Sequence, residues 1–116
     1  MKGKVIKNCK FLPLQGFSAI AIFPFIFVDT KSFKWSVGKY RRYLMNHERI
    51  HLRQQLEMLI LFFYIWYVVE YLIKLVHYKD RKLAYENLSF EREAYSNEED
   101  INYLFNRDRY SWIKYL

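Results

Sequence analysis

Glycine and proline are confined to the first third of this chain. All three glycines and both prolines lie within residues 1–38, and the rest of the 116-residue chain contains neither. Because these two residue types interrupt helices and form turns, residues 1–38 are predicted to be a strand and turn region and residues 39–116 a helical region. A chain of this length builds one hydrophobic core. The prediction is therefore a single α+β domain over residues 1–116.

The strand and turn region contains three runs of β-branched and aromatic residues, at positions 5–6, 17–22 and 25–28. Turn-forming residues bound these runs, as is typical of short strands. Pro24 cannot donate a backbone hydrogen bond, so it belongs at a sheet edge or a bulge. We predict a small antiparallel sheet packed on the helical body. An edge strand around residues 23–28 could bind an extended peptide, although a plain structural strand is the simpler interpretation.

The helical region is predicted to contain a long first helix, from Lys39 past Gln55, and later helices over residues 82–96 and 101–115. Residues 56–78 are the most hydrophobic part of the chain. Their uninterrupted apolar core is about a dozen residues long, whereas a membrane-spanning helix needs about 20. The length favours a buried core helix. A stripe of four tyrosines on this helix indicates the alternative of a face that binds a membrane surface.

The charge and the cysteine count narrow the classes of partner and compartment. The formal net charge is +7 and the pI is near 9.5, which suits an anionic partner such as an acidic lipid surface. The basic residues are scattered and form no recognised motif, so nucleic-acid binding is not expected. Cys9 is the only cysteine, which excludes an internal disulfide and a cysteine-based zinc cluster. The predicted compartment is the cytosol, with membrane-surface association as the alternative.

The segment His47-Glu48-Arg49-Ile50-His51 fits the pattern H-E-x-x-H. On a helix, residues i and i+4 project from the same face, so His47 and His51 can bind one tetrahedral Zn2+. Glu48 can then accept a proton from a water molecule that the metal has made acidic. The alternative is a histidine pair and a glutamate on a solvated helix face.

A catalytic zinc normally has three protein ligands and one open position. His77, the remaining histidine, is expected at a helix end. The better candidate lies in N-L-S-F-E-R-E-A-Y, residues 87–95. With this segment the chain resembles the gluzincin branch of zinc metallopeptidases, especially the CAAX prenyl protease and BlaR-type families, which carry H-E-x-x-H and, on a later helix, E-x-x-A-D. The resemblance implies that Glu91 is the third ligand, and that Ala94 is the small residue that lets the two helices approach closely.

The chain departs from this motif at Tyr95, where those families have an aspartate that orients a liganding histidine. The resemblance implies that the Tyr95 hydroxyl takes this role in the second shell, without a negative charge. Glu93 is the alternative third ligand, since Asn97 would then occupy the orienting position. Glu91 and Glu93 are about 200° apart on a helix, so only one of them can face the metal.

These observations predict a zincin-like body that acts as a zinc metalloendopeptidase on peptide or protein substrates. The alternatives are a non-catalytic binding module stabilised by zinc, and a basic protein that associates with membrane surfaces. A straight helix over residues 39–77 would be about 57 Å long. If Glu91 is a ligand, the apolar segment must therefore bend or break, which is expected between Leu61 and Lys74, or the return to Glu91 must be nearly extended.

Overall fold

A computed structural model describes residues 3–8 and 18–116. Three strands form the sheet: β1 (Lys4–Lys7), β2 (Ala19–Ile22) and β3 (Phe25–Val28), in the order β1-β3-β2. The prediction of three strands is confirmed, while the start of the second predicted run, and Cys9, lie outside the described residues. The sheet is mixed, so the antiparallel prediction is wrong. β2 and β3 form an antiparallel hairpin, and β1 runs opposite to β2, so β1 pairs with β3 in parallel.

The hairpin determines which strand lies at the edge. β3 is the central strand, and Pro24 lies in the turn between β2 and β3. The prediction of an edge strand over residues 23–28 is therefore wrong, and β2 is the edge strand on this side of the sheet. Burial alternates along both strands, as expected when one face covers a core. The residues that the sheet buries against the helices are Ala19, Ala21, Ile26 and Val28.

The helices confirm the α+β class. They are α1 (Phe33–Ser36), α2 (Gly38–Glu57), α3 (Leu61–Tyr78), α4 (Arg81–Glu86), α5 (Ser89–Asn97) and α6 (Tyr103–Asn106), followed by a 3-10 helix, Ser111–Tyr115. α2 agrees with the predicted first helix. The predicted helix over residues 82–96 is two helices, because the side-chain amide of Asn87 donates to the Leu83 carbonyl at 2.8 Å and caps the end of α4. The predicted helix over residues 101–115 is likewise divided, into α6 and the 3-10 helix.

The chain reverses between α2 and α3 without a glycine or a proline. Leu59 and Ile60 have φ angles of 54° and 63°, and a positive φ is uncommon for residues other than glycine. Backbone hydrogen bonds hold this turn, among them one from the Ile60 N–H to the Gln55 carbonyl at 2.7 Å. The predicted bend exists, but its predicted position between Leu61 and Lys74 is wrong because it precedes Leu61.

The two sides of α3 differ in polarity. Its inner face is buried or half-buried against the protein and consists of Phe63, Tyr64, Tyr67, Glu70, Tyr71, Lys74, Leu75 and Tyr78. Its outer face is exposed and consists of Leu61, Phe62, Ile65, Trp66, Val68, Val69, Leu72, Ile73 and Val76. The prediction of a buried core helix is wrong, because hydrogen bonds hold the polar side of the helix inward. The tyrosine stripe therefore lies on the protected side of α3.

Candidate metal centre

The H-E-x-x-H segment lies in the buried side of α2. His47, Glu48 and His51 are all buried. Asn46 holds this part of α2 against α5, because its side-chain amide donates to three backbone carbonyls at the end of α5 and just after it, at 2.8 to 3.3 Å. The contact turns the histidines away from water. The interpretation of this segment as a solvated helix face is therefore wrong.

Three donor atoms from two helices converge on one point. The Nε2 atoms of His47 and His51 lie 3.1 Å apart. From α5, the Oε1 atom of Glu91 lies 3.3 Å from the His47 nitrogen and 3.2 Å from the His51 nitrogen. The spacing of 40 residues between His51 and Glu91 is bridged because the chain reverses twice, once before and once after α3. Glu91 is thus brought to the histidines, as the resemblance implied.

The outer hydrogen bonds of the two imidazoles determine which nitrogens carry lone pairs. The Nδ1 atom of His47 lies 3.1 Å from the Glu98 carboxylate, and the Nδ1 atom of His51 lies 2.8 Å from Oε1 of Gln54. The Gln54 amide is oriented by its own NH2 group, which donates to the Phe90 carbonyl and to Glu93. Because both outer partners are acceptors, each Nδ1 donates, and each neutral ring has its lone pair on Nε2. Two lone pairs and a carboxylate oxygen therefore face one another.

Positive charge stabilises such an arrangement, and either a proton on an imidazole or a bound metal ion can supply it. The ligand atoms of His47, Glu48 and His51 also lie within 4.8 Å of one another, so this buried group could hold a metal ion. Burial alone lowers the pKa of His47, but hydrogen bonds with Glu91 and Glu98 outweigh it and raise this pKa to about 10. Burial alone raises the pKa of Glu91, but the charge of His51 and hydrogen bonds from both histidines hold it well below its usual range. The acidic surroundings thus favour positive charge between the imidazoles.

One carboxylate oxygen of Glu48, Oε2, is buried, and no group among the described residues forms a hydrogen bond with it. A buried polar atom without a partner is costly, and such atoms are concentrated at functional sites. Burial raises the pKa of Glu48 to about 7, although the nearby His51 and His47 oppose the increase. A carboxylate with this pKa can accept and release a proton near neutral pH.

Glu93 turns to the opposite side of α5. Its carboxylate accepts hydrogen bonds from Gln54 at 2.9 Å and from the Tyr103 hydroxyl at 2.6 Å, and it forms an ion pair with Arg107. The Arg107 side chain is fully buried and also pairs with Glu57 at 2.8 Å. Since these groups surround Glu93, it stabilises the packing of the C-terminal segment on α2 and α5. The structure brings Glu91, and not Glu93, to the histidines.

Tyr95 contacts His47 through its ring. The two ring centroids are 4.5 Å apart in an edge-to-face arrangement, while the Tyr95 hydroxyl hydrogen-bonds with Tyr85. The Nδ1 atom of His47 is instead paired with Glu98, which lies one helical turn beyond Tyr95. Glu98 therefore supplies the carboxylate that the E-x-x-A-D motif would place at position 95. Sequence reasoning missed Glu98, whose signal was its position three residues after Tyr95. For Gln54 and Gln55, the sequence left a role in packing or in orienting a histidine open against simple exposure, and the structure pairs Gln54 with His51.

A cleft of about 270 Å3 opens beside the three donor atoms. The edge strand β2 forms one wall and the inner face of α3 forms the other, and Glu48, His51 and Glu91 line it. The Tyr67 hydroxyl donates to the second Glu91 oxygen at 3.3 Å. The Tyr64 hydroxyl is buried and forms no hydrogen bond within the described part of the chain. These two tyrosines could not be selected from eleven by sequence alone.

Comparison with protein-family models, with curated proteins and with solved structures finds no match to this chain.

Proposed function

We propose that this chain is a zinc-dependent endopeptidase of gluzincin type, in which His47, His51 and Glu91 hold the metal. The convergence of their three donor atoms is the observation that carries the proposal. Neighbouring donors around a tetrahedral zinc with bonds of 2.0–2.1 Å are roughly 3.3 Å apart, and the measured separations are 3.1, 3.2 and 3.3 Å. Two histidines and one glutamate also form a donor set that catalytic zinc uses.

When bound, the zinc would act as a Lewis acid that polarises the substrate carbonyl and lowers the pKa of a water molecule. The chain's own contribution to proton transfer comes from Glu48. Its Oε2 atom accepts a proton as the water oxygen forms a bond to the carbonyl carbon, and it returns that proton to the amine nitrogen as the C–N bond breaks. The products are a carboxylic acid and an amine. The Oε2 atom forms no hydrogen bond with the described residues, so it is open to accept this proton.

The edge strand β2 supports a peptide as the substrate. The Gln55 side chain donates to the Ala21 carbonyl at 2.8 Å and accepts from the Phe23 N–H at 2.7 Å. These bonds indicate that residues 19, 21 and 23 direct their backbone polar groups away from β3 and toward the cleft. An extended peptide could pair with Ala19 and with the Ala21 N–H. The cleft and this strand favour an enzyme over a binding module stabilised by zinc.

Tyr64 is the residue we assign to stabilise the developing oxyanion. Its hydroxyl lies in the same cleft as Glu48 and forms no hydrogen bond with the described residues. Burial raises its pKa, so the hydroxyl stays protonated and can donate. A donor directed at the position where negative charge develops is a main source of rate enhancement in acyl transfer.

The metal content of untagged protein tests the ligand set. Mass spectrometry of the wild type is expected to find near-stoichiometric zinc, which His51→Ala and Glu91→Ala remove. His77→Ala is the matched histidine control, because His77 is exposed on α3 and its loss should leave the zinc in place. Glu93→Ala should retain zinc in whatever fraction of the protein folds. A wild type without zinc after metal is added back, or loss with Glu93→Ala but not Glu91→Ala, would contradict the assignment.

Glu48→Gln tests the general base separately from the metal. The variant is expected to keep its zinc and to lose hydrolysis of casein and of peptide libraries by roughly 1,000-fold, since general-base catalysis contributes about 10²–10⁴ in rate. Full activity in this variant would refute the assigned base. Bound zinc without turnover in the wild type, together with unfolding on chelation, would instead favour the non-catalytic binding module.

A further inference from the structure

The polarity of α3 is opposite to that of a helix on a water-soluble domain, which turns its apolar stripe inward. The Glu70 carboxylate on the inner face accepts hydrogen bonds from the N–H and the hydroxyl of Ser89, each at 2.6 Å, and from the Trp66 indole at 3.1 Å. The inward side of the helix is thus held by polar contacts with the protein. The outer face is apolar from Leu61 to Val76, with His77 beside it at the C-terminal end of α3, and this face is left to the surroundings. Contact of such a stripe with water is unfavourable.

Length and burial distinguish α3 from an ordinary core helix. α3 has 18 residues, which corresponds to about 27 Å. Among the described residues it is the one helix long and apolar enough to cross a membrane by length and composition, and 11% of this window is buried. The core helix of a soluble protein can pass the same test of composition, but it is mostly buried. The outer face of α3 is therefore suited to an apolar phase outside the protein.

Basic side chains adjoin the outer face at its C-terminal end. Lys79, Arg81 and Lys82 follow α3 and are exposed. Val68 of the outer face lines a groove together with Arg81, Lys82, Arg92 and one acidic residue, Glu86, which pairs with Lys82 at 4.0 Å. Basic side chains therefore outnumber acidic ones in this groove. Anionic lipid headgroups attract such residues. A second copy of this chain, bound through the same face, would instead add a second set of these basic side chains.

We propose that the outer face of α3 binds a lipid bilayer rich in anionic lipid, with the helix lying in the plane of the membrane surface. In this position the outer face enters the boundary between headgroups and acyl chains to a depth of about 5–10 Å. The inner face keeps its contacts with the protein, and the exposed Arg41 and Arg42 of α2 stay in water. A spanning orientation would carry Glu70 and Lys74 into hydrocarbon. Membrane binding is independent of the peptidase activity proposed above.

Sedimentation with lipid vesicles tests this surface. The wild type is expected to sediment with vesicles of phosphatidylcholine and phosphatidylserine, and more weakly with phosphatidylcholine alone. The double substitution Ile73→Glu and Val76→Glu changes positions that are 62% and 78% exposed, so the fold should tolerate it. We expect its binding to be at least about 10-fold weaker, because two aliphatic contacts become charges that repel the surface.

Phe33→Glu is the control at a different surface, since Phe33 is 70% exposed on α1. It adds one negative charge, as each of the two substitutions on α3 does. It should bind like the wild type. Quenching of tryptophan fluorescence by brominated lipid gives a second readout: the wild type should be quenched, and the double variant at the exposed positions Ile73 and Val76 much less. Three results would overturn the proposal: a wild type that does not sediment, equal binding by the double variant, or a lipid-free dimer that the double variant converts to a monomer.

Discussion

α2 and α3 have similar lengths, 20 and 18 residues, but ten residues of α2 are buried and two residues of α3. α2 is rich in charged and polar residues, and its buried side includes His47, Glu48, Gln54 and Gln55. α3 is the most apolar helix of the chain, yet most of its aliphatic residues are exposed. The difference shows that hydropathy did not decide which helix occupies the centre. Most polar side chains buried in α2 have fixed partners that offset their desolvation, and the Oε2 atom of Glu48 is the exception among the described residues.

Removal of the proposed metal is expected to have the largest effect on the stability of α2 relative to that of α3. A metal present at about 1,000 times its dissociation constant stabilises the folded state by roughly 4 kcal/mol, and chelation should remove that contribution. Thermal unfolding with and without a chelator measures the loss. Hydrogen exchange should locate it, with protection falling in α2 and α5 and changing least on the outer face of α3. An unchanged melting temperature would show that the buried polar side of α2 is stable without a cation.

A matched pair of isoleucines compares the two helices directly. Ile50 on α2 is 0% exposed and Ile73 on α3 is 62% exposed. Ile50→Ala should lower the free energy of unfolding by about 3 kcal/mol, because it removes buried methyl groups and leaves a cavity. Ile73→Ala should change it by less than about 0.5 kcal/mol. Denaturant titration of both variants without lipid is the measurement, and equal losses would show that α3 is covered in solution.

Tyr64→Phe tests whether α3 supplies a hydroxyl group for the proposed hydrolysis in addition to the proposed membrane-binding face. Loss of one oxyanion donor typically lowers kcat by about 100-fold or more, and zinc content should not change. Tyr71→Phe is the control, since Tyr71 lies on the same inner face but lines a different groove. A drop in kcat of equal size in both variants would indicate a packing effect. An unchanged kcat with Tyr64→Phe would remove this residue from the mechanism.

Glu98→Gln is expected to have the smallest effect of the four. It removes the charge that orients His47 but keeps an acceptor, and such partners typically contribute 10–100-fold in metal affinity. We expect the metal dissociation constant to increase by about 10-fold, measured by competition with a chelator. Glu99→Gln changes the neighbouring exposed residue and should leave the affinity unchanged. Equal affinities in both variants would contradict the orienting role of Glu98.

Local patterns explain why part of the site was predictable. The i, i+4 spacing of His47 and His51 defines one helix face regardless of what surrounds the helix. The same reasoning kept Glu91 and Glu93 on different faces of α5, but it could not select between them. That choice depends on Arg107, whose buried side chain pairs with Glu93 from 14 residues downstream. No short-range pattern specifies such a contact.

The sequence by itself determined the α+β class, the start of α2 and the composition of the H-E-x-x-H segment, because glycine, proline and helical periodicity act within a few residues. Only the tertiary structure decided the reversal at residues 58–60, the parallel pairing of β1, the partnership of Glu98 with His47 and the outward direction of the aliphatic side of α3. These features depend on contacts between residues that are distant in the chain. The stability of these contacts depends on which buried polar groups form hydrogen bonds, and the hydropathy of the sequence does not specify those partners.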